Sequence, residues 1–378
     1  MHLSLLLLVP LLPGSLARVC QNLTIPISIS SQNTIFNLQP PSTEIQVTDF
    51  FLKATFQGHD YSADIKRGYT TISGNYSIRA TFCHPDTGPT RALQILTHGI
   101  GFDRSYWDFP FHNYNYSYVD RAVDRGFSTF TWDRPGIGES SRGDPISEMQ
   151  AALELAALVE LTRRLRAGSI SPHVPCGFDA FIHVGHSFGS ILTHALAGTH
   201  PRLSQALVLT GYTQVPSFMP YFSLGGGFAP VSSIPALASA GYPVGYVAPR
   251  TSIGVHTNYF APGDFDPDML REVYERGQPA APGELLTLGE GAGVPSSFAG
   301  PVLAITGEHD TPFCGGNCYG TSVINDRAAN LVQDMATAFP NASAFNATVV
   351  PGAGHGLNFG YSHALAYDTI LSFLENHV

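Results

Sequence analysis

The chain has 378 residues, of which 44% are hydrophobic and 13% charged, and its formal net charge at pH 7 is −10. A sparsely charged, acidic surface repels nucleic acid and suits a neutral small-molecule substrate, so we exclude a nucleic-acid-binding function. The length allows two domains or a single large core with an insertion.

Residues 1–17 have the pattern of a signal peptide. An apolar run extends to Leu12, and the small residues Ser15 and Ala17 fit cleavage after Ala17. The run is too short to span a bilayer stably, and no later segment is apolar enough to serve as a membrane anchor. A buried N-terminal helix is the alternative.

Five N-glycosylation sequons agree with passage through a eukaryotic secretory pathway. They begin at Asn22, Asn75, Asn115, Asn341 and Asn346. Together with the leader, they predict a protein that is secreted or lies in the lumen of the secretory pathway.

The cysteines are expected to form disulfides in such an oxidising compartment. Cys314 and Cys318 are close enough in sequence to close a tight loop, and Cys20 could join Cys83. Cys176 would then be left over, and we expect it to be buried. The connectivity stays open at this point.

The first elements are predicted to be antiparallel edge strands. Residues 44–56 partly alternate between apolar and polar side chains and are interpreted as a strand. Residues 68–82 are interpreted as one or two further strands, with a turn at Ser73 and Gly74.

From Arg91 onward, short apolar runs alternate with helical stretches, which is typical of a mostly parallel sheet with helices on both faces. The predicted strands cover residues 93–96, 127–132, 181–184, 206–209, 302–305 and 344–350. The predicted helices cover residues 147–167, 187–199, 330–339 and 363–376.

Residues 212–299 interrupt the alternation and are dense in Gly, Pro and aromatic residues, with one predicted helix over 266–276. We interpret them as a cap inserted over the carboxyl edge of the sheet, between core parts 18–211 and 300–378. Their aromatic content argues against a flexible linker, because linkers are usually polar.

Residues 185–189 read Gly-His-Ser-Phe-Gly and stand between a predicted strand and a predicted helix. A G-x-S-x-G sequence in this setting is typical of the nucleophile elbow of serine hydrolases. The two glycines leave room for the crossing chain, and the sharp turn exposes the serine hydroxyl at the positive end of a helix. We therefore predict that Ser187 is a nucleophile.

A serine nucleophile needs a base and an acid that orients the base. Asp310 follows the strand predicted over 302–305, and His355 lies in a glycine-rich loop after the strand predicted over 344–350. We predict that they are the acid and the base. Glu308 is the alternative acid, and His309 is an alternative base that adjoins the acid too closely to face it easily.

Three histidines near the elbow raise the alternative of a metal site, namely His183, His186 and His194. His183 and His186 lie on either side of a strand end and need not converge, and no His/Cys cluster has the spacing of a zinc site. We predict no metal and no cofactor.

Backbone N–H groups are expected to bind the oxyanion that forms during attack on a carbonyl. One donor should be the residue after the nucleophile, Phe188, and the other should lie in the loop 97–102 that follows an early strand. We predict the Ile100 N–H as this second donor, with the Gly101 N–H as the alternative.

Together these motifs resemble the α/β-hydrolase fold family. They are Leu-Thr-His-Gly at 96–99, Asp-Arg-Pro-Gly-Ile-Gly-Glu-Ser at 133–140, the elbow, Gly-Glu-His-Asp at 307–310 and Gly-His at 354–355. The chain order Ser187, Asp310, His355 is also that of the family. Residues 97–108 further resemble secreted fungal members. The resemblance implies that Ser187 attacks a carbonyl, His355 transfers the proton and Asp310 holds the imidazole.

We therefore expect a secreted, cofactor-free serine hydrolase that cleaves a carboxylic ester of a small, apolar substrate through an acyl-enzyme on Ser187. Three alternatives stay open. A biosynthetic enzyme could use the same residues for acyl transfer, lactone opening or closing, or elimination. A peptidase is the second, and a non-catalytic binding protein, which would usually lack a triad member, is the third.

Overall fold

A computed structural model of the chain describes residues 18–88, 90, 92–290 and 295–378. The predicted signal peptide, residues 1–17, lies outside the described residues. The strands are β1 (Arg18–Phe36), β2 (Lys66–Pro85), β3 (Ala92–Thr97), β4 (Asp108–Phe109), β5 (Tyr116–Ser117), β6 (Ser128–Trp132), β7 (Ala180–His186), β8 (Ala206–Thr210), β9 (Phe228–Pro230), β10 (Val247–Pro249), β11 (Val302–Gly307) and β12 (Phe345–Val350).

The helices lie around a single large sheet and in the segment between β8 and β11. None of those described is long and apolar enough to cross a bilayer. They are α1 (Glu44–Ala54), α2 (Tyr61–Ile65), α3 (Tyr118–Asp124), α4 (Ala151–Arg166), α5 (Phe188–Thr199), α6 (Met219–Gly225), α7 (Pro235–Ala238), α8 (Ser252–Tyr259), α9 (Pro267–Glu275), α10 (Pro282–Leu286), α11 (Thr311–Cys314) and α12 (His363–His377).

The central sheet has eight strands in the order β1-β2-β6-β3-β7-β8-β11-β12. From β6 to β12 neighbouring strands are parallel. All six strands predicted after Arg91 are present, with ends within two residues of those predicted. The expected α/β fold, with its mostly parallel sheet and antiparallel N-terminal edge, is therefore confirmed.

The register brings the carboxyl ends of the parallel strands to one edge. Thr97 pairs with Gly185 at the ends of β3 and β7, and His186 pairs with Thr210 at the ends of β7 and β8. The loops that follow these strands therefore meet, which is where parallel sheets place their binding sites.

The edge strands β1 and β2 are longer than the sequence indicates. They pair antiparallel from Arg18 opposite Pro85 to Phe36 opposite Lys66. The predicted turn at Ser73 and Gly74 is wrong, because both residues lie within β2 and pair with β1. As part of the strand, these residues pair their backbone groups with β1, and a turn at this point would lose those hydrogen bonds.

The strand predicted over 44–56 is also wrong, since residues 44–54 form helix α1. Its buried residues Val47, Phe50 and Phe51 have the spacing of one helix face. Thr43 caps the helix by accepting the Gln46 N–H at 3.2 Å. The apolar pattern alone fits a strand or a helix. The Thr43 cap and the burial of one helix face favour the helix.

Two of the three helices predicted after residue 260 are α-helices, and the third is not. The helix predicted over 363–376 is α12, whereas the one predicted over 330–339 is a 3₁₀ turn at Gln333–Ala338. The helix predicted over 266–276 is α9.

The segment between β8 and β11 contains α6 to α10 and the short β9–β10 pair. Part of it lies against the loop after β3, because the Tyr259 hydroxyl donates to Ile100 O at 3.1 Å. The Gln278 N–H donates to Gly101 O at 2.9 Å. These contacts place part of the segment at the carboxyl edge of the sheet.

Candidate active site

The chain turns from β7 into α5 within a single residue, Ser187. This residue has φ 56° and ψ −119°, a conformation that costs free energy for a residue with a Cβ. Its N–H donates to Thr210 O at 2.9 Å, which ties the turn to the neighbouring strand. The turn leaves Ser187 partly exposed at the N-terminus of α5.

Gly185 and Gly189 allow this turn because main chain crosses both of them. A Cβ on Gly185 would lie 2.3 Å from Gly189 O, and a Cβ on Gly189 would lie 2.2 Å from Thr97 O. Neither position can hold a side chain unless the backbone moves. The start of α5 is therefore packed directly against the end of β3.

Asp310 and His355 come from the loops after β11 and β12 and meet beside the elbow. His355 Nδ1 lies 2.8 Å from Asp310 Oδ2, and both side chains are buried. The Asp310 carboxylate also accepts from Thr306 Oγ1 at 2.5 Å and from the Phe313 N–H at 2.9 Å. Three donors thus fix the orientation of the carboxylate.

The other ring nitrogen of His355 is free to act as a base. Nε2 is buried and has no hydrogen-bond partner among the described residues. An Nδ1–H that donates to Asp310 selects the tautomer whose Nε2 carries a lone pair. His186 directly precedes Ser187, and the centre of its ring lies 4.8 Å from the centre of the His355 ring. The His355 side chain is therefore next to the elbow.

The alternative acid and base have other partners. Glu308 Oε2 accepts from the Gly352 N–H at 2.9 Å and so holds the loop that carries His355 rather than its imidazole. His309 is exposed, with Nδ1 3.1 Å from Gly316 O. The structure brings neither residue into contact with the His355 ring in any described hydrogen bond.

The loop after β3 lies against the elbow, because a Cβ on Gly99 would be 2.8 Å from the Cβ of Ser187. Gly99 O contacts two donors, with Arg134 Nη2 at 3.2 Å and His98 Nδ1 at 2.9 Å. The Gly99–Ile100 peptide is trans, so the Ile100 N–H points away from those donors. No acceptor for this N–H or for that of Phe188 is found in the part of the chain that the structure describes.

Arg134 is buried beneath this loop together with two carboxyl groups. Its Nη1 donates to Glu154 of α4 and to Glu284 of α10, and its guanidinium lies 4.7 Å from the centre of the Phe188 ring. Burial raises the pKa of Glu154 well above its usual value, against the lowering effect of Arg134, and the charge of Glu284 raises it further.

The three histidines considered for a metal site each contact a hydroxyl. His183 contacts Thr162 and Ser204, His186 contacts Thr210 at 3.1 Å, and His194 contacts Tyr212 at 3.3 Å. Burial lowers the pKa of His183 to about 3. Within the described ranges, no group of three or more His, Cys, Asp or Glu residues could hold a metal ion.

Several residues around the loop after β3 were not predicted from the sequence. Arg134 belongs to the motif at 133–140, which was a usable signal. No local sequence signal indicates Glu284 or Tyr259. Their contacts with Arg134 and Ile100 join residues that are 150 and 159 positions apart.

A small apolar cavity of about 20 Å³ borders the same loop. Gly101 and Phe102 of the loop line it together with residues of the segment between β8 and β11, including Leu237, Val255, Tyr259 and Val273. The space beside the loop is therefore apolar, and it is narrow in this conformation.

The five predicted glycosylation sites are all exposed, at Asn22, Asn75, Asn115, Asn341 and Asn346. Disulfides join Cys20 to Cys83 and Cys314 to Cys318. Cys176 is free and exposed, which corrects the expectation that it is buried. It lies in a surface loop before β7.

Comparison with known proteins agrees with this architecture. Residues 94–368 match the model of the alpha/beta hydrolase family. No curated protein matches the sequence. Among solved structures, a thermophilic esterase from Thermogutta terrifontis has a TM-score of 0.54 at 16% identity, over 81% of this chain and 96% of that one.

Two further structures are similar at the same level. A soluble variant of monoglyceride lipase from Saccharomyces cerevisiae has a TM-score of 0.51 at 15% identity, over 80% of this chain and 92% of that one. An alpha/beta hydrolase fold protein from Chitinophaga pinensis has a TM-score of 0.50 at 15% identity, over 80% and 94%. At such identities the likeness shows the fold alone.

Proposed function

The chain belongs to the alpha/beta hydrolase family, and on that premise we propose that it is a secreted serine hydrolase that cleaves a carboxylic ester of a small, apolar substrate. One observation carries the proposal. The His355–Asp310 pair, joined over 2.8 Å, leaves a buried and unpartnered Nε2, and the His355 ring lies 4.8 Å from that of His186, which directly precedes a serine held at φ 56°. In a triad of nucleophile, base and orienting acid, this nitrogen takes the proton of the serine hydroxyl while the acid holds the imidazole in the tautomer that can accept it.

In the first half-reaction, Ser187 Oγ attacks the ester carbonyl while His355 Nε2 takes the hydroxyl proton. The C–O bond to the alcohol then breaks, and His355 returns the proton to the leaving alkoxide, which leaves an acyl-enzyme on Ser187. In the second half, His355 takes a proton from water as its oxygen attacks the acyl carbon. Ser187 recovers its proton and the carboxylic acid leaves.

Asp310 stabilises the imidazolium that forms in both halves. The Ile100 and Phe188 N–H groups bind the tetrahedral oxyanion, with the Gly101 N–H as the alternative to Ile100. The free N–H of Phe188 at the start of α5 and the contact of Gly99 with Ser187 support this assignment.

The proposal is tested with a fluorophosphonate probe and a series of p-nitrophenyl esters of increasing acyl length. We expect the probe to label Ser187, and Ser187→Ala to abolish both labelling and turnover. Ser190→Ala is the matched control, since Ser190 lies one turn further along α5 and donates to Thr210 O. Labelling that persists in Ser187→Ala would overturn the assignment.

The apolar lining of the cavity beside Gly101 supports an apolar substrate group, and residues 212–299 would cover it as a cap. Product analysis with an added primary alcohol reports whether the acyl group passes to water or to another acceptor. If water is the acceptor, free carboxylic acid should be the main product both with and without the added alcohol.

Secretion is supported by the two disulfides and by the exposure of all five sequon asparagines. We expect the full chain, expressed in a eukaryotic secretory host, to reach the medium with Arg18 as its first residue. Removal of N-glycans should lower its mass. Retention inside the cell with the leader intact would contradict the proposal.

A further inference from the structure

The loop after β3 has a donor on each of three consecutive carbonyl groups. Gly99 O contacts Arg134 and His98, Ile100 O accepts from the Tyr259 hydroxyl at 3.1 Å, and Gly101 O accepts from the Gln278 N–H at 2.9 Å. In a trans peptide the carbonyl and the next N–H point in opposite directions. Holding these oxygens therefore sets the directions of the N–H groups that follow them.

Two of these donors come from the segment between β8 and β11 rather than from the core of the sheet. Tyr259 is the last residue of α8 and is buried, with 3% of its surface exposed. Burial raises the pKa of its phenol, which keeps the proton on the hydroxyl and makes it a donor. Gly101 has φ 83° and no side chain, so little besides these hydrogen bonds fixes the Ile100–Gly101 peptide.

Tyr259 also contacts the loop that carries His355. Its backbone oxygen accepts from the Gly356 N–H at 2.7 Å, and its ring is 5.9 Å from the His355 ring at an angle of 23°. One residue thus joins the loop of the base to the loop of the oxyanion donors.

We propose that Tyr259 is a positioning residue for the oxyanion site, whose hydroxyl orients the Ile100–Gly101 peptide through Ile100 O. The donor that it directs is the Gly101 N–H, the alternative to Ile100, on the peptide that adjoins the one carrying the Ile100 N–H. The inference rests on the proposed function, since it assigns a role in stabilising the oxyanion on substrate attacked by Ser187. It also gives the inserted segment a part in the reaction beyond covering the site.

Loss of the hydroxyl has a definite consequence for this loop. Ile100 O loses the one donor recorded for it among the described residues, and a buried carbonyl without a partner is unfavourable. The Ile100–Gly101 peptide then turns toward other partners, so the Gly101 N–H that it carries leaves the direction that the oxyanion needs, and the adjoining Ile100 N–H is less firmly held. The effect falls on the transition state, because the oxyanion exists only there.

The test is Tyr259→Phe, which removes the hydroxyl and keeps the ring and its contact with His355. The matched control is Tyr367→Phe, because Tyr367 is equally buried and its hydroxyl also donates to a backbone carbonyl, Tyr116 O, at 2.9 Å. Rates are expressed per active site titrated with the fluorophosphonate probe, so that unfolded protein does not contribute to the measured kcat.

We expect Tyr259→Phe to lower kcat about tenfold with KM unchanged, less than the 10²–10³ lost with a direct oxyanion donor. The Ki of a trifluoromethyl ketone, whose adduct with the serine carries an oxyanion, should rise by the same factor, about tenfold. The pH profile of kcat/KM should keep its position, since the ring beside His355 is retained. Tyr367→Phe should change none of these quantities.

A kcat for Tyr259→Phe within about twofold of that of Tyr367→Phe would overturn the inference, as would a fall in kcat without weaker binding of the ketone. These failures differ from failure of the proposed function. In that case the wild-type protein itself would not be labelled at Ser187.

Discussion

Asp310 Oδ2 lies 2.8 Å from His355 Nδ1, although 45 residues of chain separate the two. Each residue follows the carboxyl end of a parallel strand, and the strands β11 and β12 are neighbours with Gly307 opposite Val350. The sheet register, rather than any local feature, therefore brings the acid to the imidazole. Thr306, within β11, adds a second hydrogen bond to the same carboxylate oxygen.

Asp310→Asn should lower kcat about 10⁴-fold, because an amide that donates to His355 favours the wrong tautomer. Glu308→Gln is the matched control, since Gln can still accept the Gly352 N–H and should keep near wild-type activity. Steady-state hydrolysis of a p-nitrophenyl ester measures both. A loss in Glu308→Gln as large as that in Asp310→Asn would move the role of acid to Glu308.

Gly99→Ala should lower kcat/KM by about 10²–10³, the usual effect of losing an oxyanion donor. The new Cβ would lie 2.8 Å from the Ser187 Cβ, so the loop that carries Ile100 must shift. Gly198→Ala serves as control, because a Cβ there meets nothing within 4 Å. Full activity in Gly99→Ala would show that this loop takes no part in catalysis.

Glu154→Gln should make the free energy of unfolding less dependent on pH. The folded protein holds the Glu154 proton well above the usual pKa of 4.5, whereas the unfolded chain releases it near that value. The wild-type protein therefore loses stability as pH rises above about 4.5, and Gln, which cannot ionise, avoids that loss.

Urea unfolding between pH 4 and pH 8 measures this difference. The stability of Glu154→Gln relative to wild type should increase with pH across that range. Glu160→Gln, on the more exposed side of the same helix, should follow the wild-type curve. Parallel curves for wild type and Glu154→Gln would show that Glu154 is ionised in the folded state.

The two disulfides should rank in opposite order for stability and for activity. Removing Cys20–Cys83, with a separation of 63 residues, should cost about 4 kcal/mol of stability, and removing Cys314–Cys318, with a separation of 4, about 2 kcal/mol. The larger fall in kcat should come from the second pair, because the Cys314 N–H donates to Asp310 O at 3.1 Å and the Cys318 N–H to Glu308 O at 2.9 Å.

Paired Cys→Ala variants, compared by denaturant unfolding and by kcat, check both parts. Equal kcat values in the two double variants would mean that the short disulfide does not hold the acid in place. A larger stability loss from the short loop than from the long one would contradict the chain-entropy account.

The sequence was sufficient for the central strands because each is a short apolar run buried on both faces. It failed at α1, where Val47, Phe50 and Phe51 fit a helix face but the surrounding pattern also fits a strand. It failed again at Ser73 and Gly74, which pair with β1 more than 40 residues away. Local preference is weak wherever a distant partner supplies the hydrogen bonds.

By itself the sequence determined the type of fold and the candidate nucleophile, acid and base, because each stands in the turn or loop after a strand and the carboxyl ends of parallel strands meet at one edge. Only the tertiary structure decided what surrounds them. The contacts of Tyr259 with Ile100 and of Glu284 with Arg134 join segments 159 and 150 residues apart. No local pattern encodes such contacts, since they depend on how the segment between β8 and β11 packs against the loop after β3.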